Sequence, residues 1–344
     1  MIGRMSHTVT VRIYYPLQSP IRSPETEGTI ALRTDADWNT DVEPAAVAED
    51  GTRFDFPVDL PGPFRYFKPV LRRGGDLLWS QGENWLVLAD GPETKDVFPH
   101  FLPDTTSGVS DILHLQSEHG PRNHALRIFH PPGYTENTLA RYPVLYMQDG
   151  QNLFFPGEAF GGHEWMVDET LDILDAMSLV RAALVVGIYP QDRMADYTKP
   201  GYEDYGRYLV EEVKPWVDGN YRTWTGPADT VVMGSSLGGV VSLYLAWQWP
   251  EVFGNAGCLS STFGYQDDLH ERIEAEPKRP VKVYLDSGWP GDNYEVTRTM
   301  RNTLRSQGYQ QGKDLFYLAF PRARHTEDDW AMRAHIPFQF FFGE

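Results

Sequence analysis

The pentapeptide GSSLG at positions 234–238 lies between two apolar segments, a strand-like run at 229–233 and a helix-like run at 239–249. A serine on such a sharp strand-to-helix turn adopts a strained backbone conformation, so its neighbours must be small. Ser236 has a glycine two positions away on each side, whereas Ser235 does not. The pattern therefore predicts a nucleophile elbow that carries Ser236, with a plain glycine-rich turn as the alternative.

The first part of the chain has the pattern of a small all-β domain. Residues 53–60 alternate strictly between polar and apolar side chains, as in a half-buried strand. Short strands at this spacing, separated by turn residues, are typical of a β-sandwich. A stretch without periodicity at 97–108 is interpreted as a linker, which gives predicted domains at 1–104 and 105–344. The other predicted strands are 8–15, 28–34, 64–71 and 84–88.

The second part alternates strand-like and helix-like segments, which predicts a doubly wound α/β sheet. Its apolar runs are short and continuous, as expected of buried parallel strands. Ligands bind such sheets at the carboxyl ends of the strands, which is where the elbow places Ser236. The predicted strands are 125–130, 143–147, 182–188, 230–233, 256–259, 281–285 and 315–320, and helical stripes run through Tyr205, Leu209, Val213, Trp216 and Tyr221 and through Val296, Met300 and Leu304.

The composition excludes several classes of partner. A formal net charge of −18 disfavours binding to nucleic acid or to an anionic membrane surface. The single cysteine, Cys258, forms no internal disulfide and is expected to be a small buried residue. Residues 1–15 contain no continuous apolar run, so we expect neither a secretory signal nor a membrane span, and a cytoplasmic protein.

A serine hydroxyl becomes a good nucleophile only when a base within hydrogen-bond reach takes its proton. In the order Ser, acid, His along the chain, the base must follow Ser236, and three histidines do so. His325 is the candidate base because it comes directly after the last predicted strand. His270 lies in a charged helical stretch and is interpreted as a surface residue, and His335, among apolar residues, as an interior one.

The triad acid is expected in the segment that follows the strand 281–285. Asp286, Asp292 and Glu295 are the carboxylates there. Asp292 is the first choice, because the turn at 287–291 could lift it toward the imidazole, although it is also well placed to cap the next helix. Asp286 is the alternative acid, since several loop geometries can hold the imidazole tautomer.

Two backbone N–H groups are needed to bind the oxyanion, and the first normally belongs to the residue after the nucleophile, here Leu237. The second is predicted to be that of Gln151, in the loop after the strand 143–147, where Gly150 allows close approach to a ligand. A plain turn is the alternative for that loop.

The sequence indicates no metal or cofactor. His163 and Glu164 begin like a zinc-binding helix motif, but Val167 occupies the position of the second histidine. His119 and His124 are interpreted as surface residues. Neither a dinucleotide fingerprint after a strand nor a P-loop lysine is present.

Several ordered motifs carry a resemblance to a known family, at 128–134, 142–154, 165–169, 185–188, 210–221, 234–239 and around His325. Over roughly 117–330 the chain resembles the "Putative esterase" family of α/β-hydrolases, which includes siderophore (enterochelin) esterases, feruloyl esterases, esterase D and mycolyltransferases. The resemblance implies Ser236 as nucleophile and His325 as base. It places the acid after Gly288, which favours Asp292 over Asp286.

The first domain resembles the immunoglobulin-like early-set domains of enterochelin esterases, and residues 64–71 with Trp79 resemble glycogen-binding modules. Trp38, Trp79 and Trp85 are then candidates for stacking on sugars or, equally, for packing inside the domain.

The expected function is a serine carboxylic ester hydrolase whose substrate is a siderophore or a feruloyl- or acetyl-type ester, either a small molecule or linked to a glycan. Trp165, Phe263 and Trp289 are candidate pocket residues, with core packing as the alternative. An acyltransferase to a sugar or alcohol would use the same triad. A non-catalytic carbohydrate-binding protein is the remaining hypothesis.

Overall fold

A computed structural model of the protein describes residues 7–17, 28–117 and 123–343. Two compact units divide the described chain. One comprises the described parts of Met1–Ser107 with Pro131–Ala140 and Asp175–Ser178, and the other the described parts of Gly108–His130, Arg141–Leu174 and Leu179–Glu344. The predicted domain limits, 1–104 and 105–344, stay a prediction.

The first unit is built on two mainly antiparallel sheets, as the alternating pattern predicted. One sheet has the order β4-β5-β1-β9, and in the other β3-β2-β6-β7 are neighbours and β8 also pairs with β6. The described strands are β1 (His7–Tyr14), β2 (Gly28–Thr34), β3 (Asp37–Val42), β4 (Ala46–Val47), β5 (Arg53–Leu60), β6 (Phe64–Arg73), β7 (Asp76–Trp79), β8 (Trp85–Leu88) and β9 (Thr94–Val97).

Apolar residues from both sheets form one core. In β5, alternate residues are buried, as its strict polar and apolar alternation predicted. These side chains join Val9 and Val11 of β1 and Ile30 and Leu32 of β2 in one hydrophobic cluster. Of the three tryptophans proposed to stack on sugars or to pack, Trp85 stacks on Phe67, and Trp38 and Trp79 lie together with ring centroids 6.4 Å apart.

A buried carboxylate explains why residues 131–140 belong to the first unit. Glu136 is 6% exposed, and its oxygens accept hydrogen bonds from the Tyr15 hydroxyl and from the backbone N–H groups of Phe101 and Leu102. A buried carboxylate is stable only when donors satisfy it in this way.

The second unit contains a nine-stranded sheet of order β10-β12-β14-β13-β15-β16-β17-β18, with β11 paired to β12. The strands from β14 through β18 in this order are parallel, and β12 is antiparallel to β14. Their bounds are β10 (Gly108–Val109), β11 (Leu113–Gln116), β12 (Asn123–His130), β13 (Val144–Gln148), β14 (Leu184–Ile188), β15 (Thr230–Ser235), β16 (Asn255–Leu259), β17 (Lys282–Trp289) and β18 (Leu315–Pro321).

Helices connect these strands, which completes the α/β class predicted from the sequence. They are α1 (Val167–Ala176), α2 (Arg193–Tyr197), α3 (Gly201–Tyr208), α4 (Lys214–Asn220), α5 (Leu237–Gln248), α6 (Leu269–Ala275), α7 (Tyr294–Ser306), α8 (Glu327–Ala331) and α9 (His335–Phe342). A π-helical segment, Leu209–Val213, joins α3 to α4. None of the described helices combines the length and apolar character needed to cross a bilayer.

The two helices that position the site differ in their burial. Helix α5 carries apolar side chains on nearly all of its faces. It packs on β15 and β16 and is buried over nearly its whole length. Helix α7 is amphipathic and buries Met300 and Leu304 of the predicted stripe, whereas Val296 is only half-buried. Cys258 is buried in β16 and unpaired, as predicted.

Candidate active site

Ser236 occupies the sharp turn between β15 and α5, in the strand-turn-helix context that the sequence predicted. Its φ of 56° and ψ of −122° are unfavourable for a residue with a side chain, at a cost on the order of 1–3 kcal/mol. The turn is held by the Ser236 N–H, which donates to the Leu259 carbonyl of β16 at 2.9 Å. A Cβ at Gly234 would lie 2.7 Å from the Gly238 carbonyl carbon, so only glycine fits there.

Asp292 and His325 are paired at the carboxyl ends of β17 and β18. His325 Nδ1 lies 2.7 Å from Asp292 Oδ1. The other oxygen, Oδ2, accepts hydrogen bonds from the Ser260 hydroxyl at 2.6 Å and from the Gly288 N–H at 2.8 Å. The Asp292 side chain is 1% exposed and that of His325 39%. The imidazole is therefore accessible to solvent, while the carboxylate that holds it is buried.

Asp292 does not cap α7, which was the alternative interpretation of this residue. The N-cap position belongs to Asn293, which makes no side-chain cap hydrogen bond. Burial acts to raise the pKa of Asp292, but the hydrogen bonds from His325, Ser260 and Gly288 prevail, and its pKa is lowered. The carboxyl is therefore ionised at neutral pH.

Asp286, the alternative acid, lies inside β17, which continues to Trp289 instead of ending at residue 285. It is fully buried and accepts hydrogen bonds from the Tyr284 hydroxyl at 2.8 Å and from Arg333 Nε at 3.1 Å. Burial raises the pKa of Asp286, and the neighbouring guanidinium opposes that rise. Asp286 is thus held by Tyr284 and Arg333, whereas His325 is hydrogen-bonded to Asp292.

The other histidines lie elsewhere. His270 is half-buried on α6, with Nδ1 3.1 Å from the Thr303 hydroxyl. His335 is exposed at the start of α9, so its interpretation as an interior residue is wrong. His124 is fully buried and stacks on Tyr208, so its interpretation as a surface residue is wrong as well. His119 lies outside the described residues.

The loop after β13 lies directly beside the elbow. A Cβ at Gly234 would also meet the Gln148 side chain at 3.0 Å, which measures how closely β13 approaches the turn. Gln151 belongs to a short 3-10 helix, Gly150–Asn152, that follows this strand. On the elbow side, Leu237 is the first residue of α5, where a backbone N–H has no intrahelical acceptor.

An ion pair fixes the start of the β13 loop. Asp149, with a φ of 55°, binds Arg193 of α2 through two parallel hydrogen bonds, from Nε at 2.8 Å and from Nη2 at 2.9 Å. The Asp149 N–H donates to the Tyr197 hydroxyl at 3.0 Å. This bidentate geometry holds the residue that precedes Gly150 and Gln151.

Glu327 links the β13 loop to the loop that carries His325. Its Oε1 accepts a hydrogen bond from Asn152 Nδ2 at 3.3 Å. Burial raises the pKa of Glu327, with Asp149 adding to the rise and with His325 and Arg193 opposing it. The site thus has a charged side formed by Glu327 and the Asp149–Arg193 pair.

Sequence reasoning missed Arg193, Ser260, Glu327 and Arg333 as parts of this site. Ser260 directly follows β16, so its place after a parallel strand is a signal that could have found it. Arg333 follows α8 and carries no local signal, because its partners Asp286 and Ser260 lie 47 and 73 residues earlier.

The three predicted pocket residues have different surroundings. Trp165 is 3% exposed and packs on Trp330, with ring centroids 5.6 Å apart. Phe263 is equally buried, whereas Trp289 is 48% exposed at the end of β17. The Trp330 ring also meets His325 edge to face, at 4.9 Å. In the described part of the chain, no group of three or more His, Cys, Asp or Glu side chains is placed to hold a metal ion.

A largely parallel sheet with a strained serine on the turn after β15 defines an α/β-hydrolase. The family model described as "Putative esterase" matches residues 117–333, and the chain belongs to this family. It is a carboxylic ester hydrolase.

The relatives found by sequence include two that cover half of this chain or more. The chain is 24% identical over 191 residues to the uncharacterized protein YbbA of Bacillus subtilis. This match covers 50% of this chain and 70% of that protein. It is 24% identical over 256 residues to an endo-1,4-beta-xylanase/feruloyl esterase of Xylanibacter ruminicola. The match covers 73% of this chain but only 32% of that larger protein.

Solved structures share the fold. The enterobactin esterase FES from Shigella flexneri, crystallised in the presence of enterobactin, has a TM-score of 0.58 at 15% identity, over 99% of this chain and 94% of that one. A ferulic acid esterase has a TM-score of 0.58 at 16% identity, over 69% of this chain and 98% of that one.

Proposed function

We propose that the chain is a serine esterase that works through an acyl-enzyme, with Ser236 as nucleophile, His325 as base and Asp292 as acid. The observation that carries this proposal is the 2.7 Å contact between Asp292 Oδ1 and His325 Nδ1, taken together with the strained backbone of the elbow serine. An ionised Asp292 accepts the Nδ1 proton, so Nε2 of the neutral imidazole is left as an acceptor. That nitrogen is the one that takes a proton from Ser236.

The reaction follows from these positions. Ser236 Oγ attacks the ester carbonyl carbon as its proton passes to His325 Nε2, and the N–H groups of Leu237 and Gln151 bind the oxyanion. When the intermediate collapses, the carbon-oxygen bond to the alcohol breaks and His325 returns the proton to the leaving oxygen. Water then attacks the acyl-enzyme by the same route and releases the acid and free Ser236.

The substrate class that we favour is a siderophore ester. Support comes from the likeness to the enterobactin esterase, which extends over 99% of this chain, whereas the likeness to the ferulic acid esterase covers 69%. A feruloyl-type ester is the second candidate, supported by the relative from Xylanibacter ruminicola.

The test compares hydrolysis of enterobactin, methyl ferulate and p-nitrophenyl acetate by the same preparation, with products separated by chromatography. We expect cleavage of enterobactin with a kcat/KM at least ~100-fold above that for methyl ferulate, a difference of about 2.7 kcal/mol in transition-state binding. A preference for methyl ferulate would replace the first substrate class with the second. Ester formation with an added sugar or alcohol, in place of hydrolysis, would indicate an acyltransferase.

A further inference from the structure

A buried hydrogen-bond network that the proposed reaction does not itself require connects Arg333, through Ser260, to the proposed triad acid Asp292. Arg333 follows α8 and is 3% exposed. Its three nitrogens are all used: Nη2 donates to the Ser260 hydroxyl at 2.6 Å, Nε to Asp286 Oδ2 at 3.1 Å, and Nη1 to the Asp329 carbonyl at 3.1 Å. The guanidinium also lies over the Phe320 ring, at 5.4 Å.

The hydrogen bonds of Ser260 fix the direction of its proton. A hydroxyl has one proton to donate and two lone pairs to accept with. Trp330 Nε1, at 3.0 Å, and Arg333 Nη2, at 2.6 Å, can only donate, so they occupy both lone pairs. The Ser260 proton must therefore point to its third neighbour, Asp292 Oδ2, at 2.6 Å.

The same network balances charge. Arg333 Nη2 is 3.7 Å from Asp292 Oδ2, so the guanidinium lies between two buried carboxylates. Arginine stays protonated inside proteins, and a buried cation needs an anion in contact with it. Asp286 meets that need, because its side chain is fully buried and in direct contact with Arg333.

We propose that Arg333, acting through Ser260, is a positioning residue that fixes Asp292 as the acceptor for His325, and that Asp286 is the counter-anion of Arg333 and not a second triad acid. The inference rests on the triad proposed above. It assigns different roles to two aspartates that lie only six positions apart in the chain.

The test is the pH dependence of kcat/KM in Asp286→Asn, measured with a p-nitrophenyl ester. Loss of this anion leaves the Arg333 charge opposed by Asp292 alone, which disfavours the imidazolium of His325. We expect the acidic limb of the profile to move to lower pH by about 0.5 unit, with kcat within about threefold of wild type. A loss of ~10⁴-fold in kcat would make Asp286 the acid, and an unmoved limb would leave it a structural residue only; either result overturns the proposal.

Other charges near His325 are unchanged in this variant. They are Glu327 on α8, the Asp149–Arg193 pair beyond it, and the Arg324–Asp329 pair next to His325 in sequence. The matched control is Asp218→Asn, which removes the anion of another ion pair, between the half-buried Asp218 and the buried Lys214. We expect no movement of the acidic limb in this control, and a movement equal to that of Asp286→Asn would contradict the proposal.

A double variant separates positioning from charge. Asp286→Asn combined with Arg333→Met removes both members of the pair, so no uncompensated charge stays buried. We expect the acidic limb to return to within about 0.2 unit of wild type. We also expect kcat to fall about tenfold, because Ser260 loses the donor Arg333 and its hydroxyl is then no longer fixed toward Asp292. Wild-type kcat in a folded double variant would refute the positioning role.

Ser236→Ala distinguishes the failure of this inference from the failure of the proposed function. If Ser236→Ala hydrolyses the ester at the wild-type rate, the triad itself is wrong. If Ser236→Ala is inactive and the acidic limb of Asp286→Asn does not move, only the roles of Arg333 and Asp286 are wrong.

Discussion

Asp292 Oδ1 lies 2.7 Å from His325 Nδ1, and both Asp292 oxygens are held by hydrogen bonds from three different segments of the chain. An acid fixed in this way orients the imidazole and stabilises its protonated form during reaction. Replacement of the Asp292 carboxylate by the amide of asparagine keeps the shape of the side chain and removes its charge.

Asp292→Asn is therefore expected to lower kcat by ~10³- to 10⁴-fold, with KM changed much less, because the amide favours the wrong imidazole tautomer. Steady-state hydrolysis of a p-nitrophenyl ester measures this. The control is Glu295→Gln, the third carboxylate of the segment, which is exposed and bound to Arg298. Wild-type kcat in Asp292→Asn, or an equal loss in the control, would exclude Asp292 as the acid.

The Asp149–Arg193 pair supports the loop that carries the Gln151 N–H. Loss of one oxyanion donor costs about 10²- to 10³-fold in rate, and a loosened donor costs less. We expect Arg193→Met to lower kcat about tenfold with a small change in KM, and Arg193→Lys to be intermediate, because lysine keeps the charge without the bidentate geometry. An unchanged kcat in Arg193→Met would show that the pair does not support the oxyanion site.

Gly288 lies where the segment that carries Asp292 packs closely against the loop that carries His325. A Cβ on Gly288 would lie 2.0 Å from the Ala323 carbonyl oxygen, two residues before His325, so one of the two loops must move. We expect Gly288→Ala to lower kcat at least about tenfold, since a misplacement of 1 Å can cost 10²-fold. The control is Gly291→Ala in the same loop, where a Cβ meets no atom within 4 Å. Equal kcat values for the two variants would contradict this account of the loops.

Asp168 at the start of α1, outside the candidate active site, is expected to make the free energy of unfolding depend on pH. Burial, a hydrogen bond with Glu169 and the charges of Glu169 and Glu164 raise its pKa to about 7. The folded state then binds more protons than the unfolded state between pH 4 and 7, so stability is lost as pH rises through that range.

We expect Asp168→Asn to be more stable than wild type at pH 8 and to differ little at pH 4. Because solvent screens the charge of this half-buried carboxyl, the difference at pH 8 is expected to be on the order of 1 kcal/mol. Thermal unfolding at the two pH values measures this. The control is Glu271→Gln on the exposed side of α6. A stability difference between Asp168→Asn and wild type that is the same at both pH values would contradict the prediction.

Local sequence patterns predicted the elbow and most strands, because periodicity and small residues act within a few positions. The strands 28–34 and 53–60 have the predicted bounds. The end of β17 was missed, because Ser287, Gly288 and Pro290 have the composition of a turn. Pairing with β18, in which Trp289 faces Pro321, extends the strand nonetheless.

The supporting residues of the site could not be predicted, because their roles depend on contacts between distant segments. Arg193 meets Asp149 across 44 positions, and Arg333 meets Ser260 across 73. The burial of His124 and the exposure of His335 also depend on which side of an element packs inward. A single histidine gives no periodic signal for that.

The role of Ser236 as nucleophile is tested most directly by the hydrolysis of p-nitrophenyl esters of graded acyl length by wild type and Ser236→Ala, with thermal unfolding to verify that the variant is folded. If Ser236 is the nucleophile, kcat falls by at least ~10⁴-fold for every ester that the wild type cleaves. Wild-type turnover by folded Ser236→Ala would contradict this role.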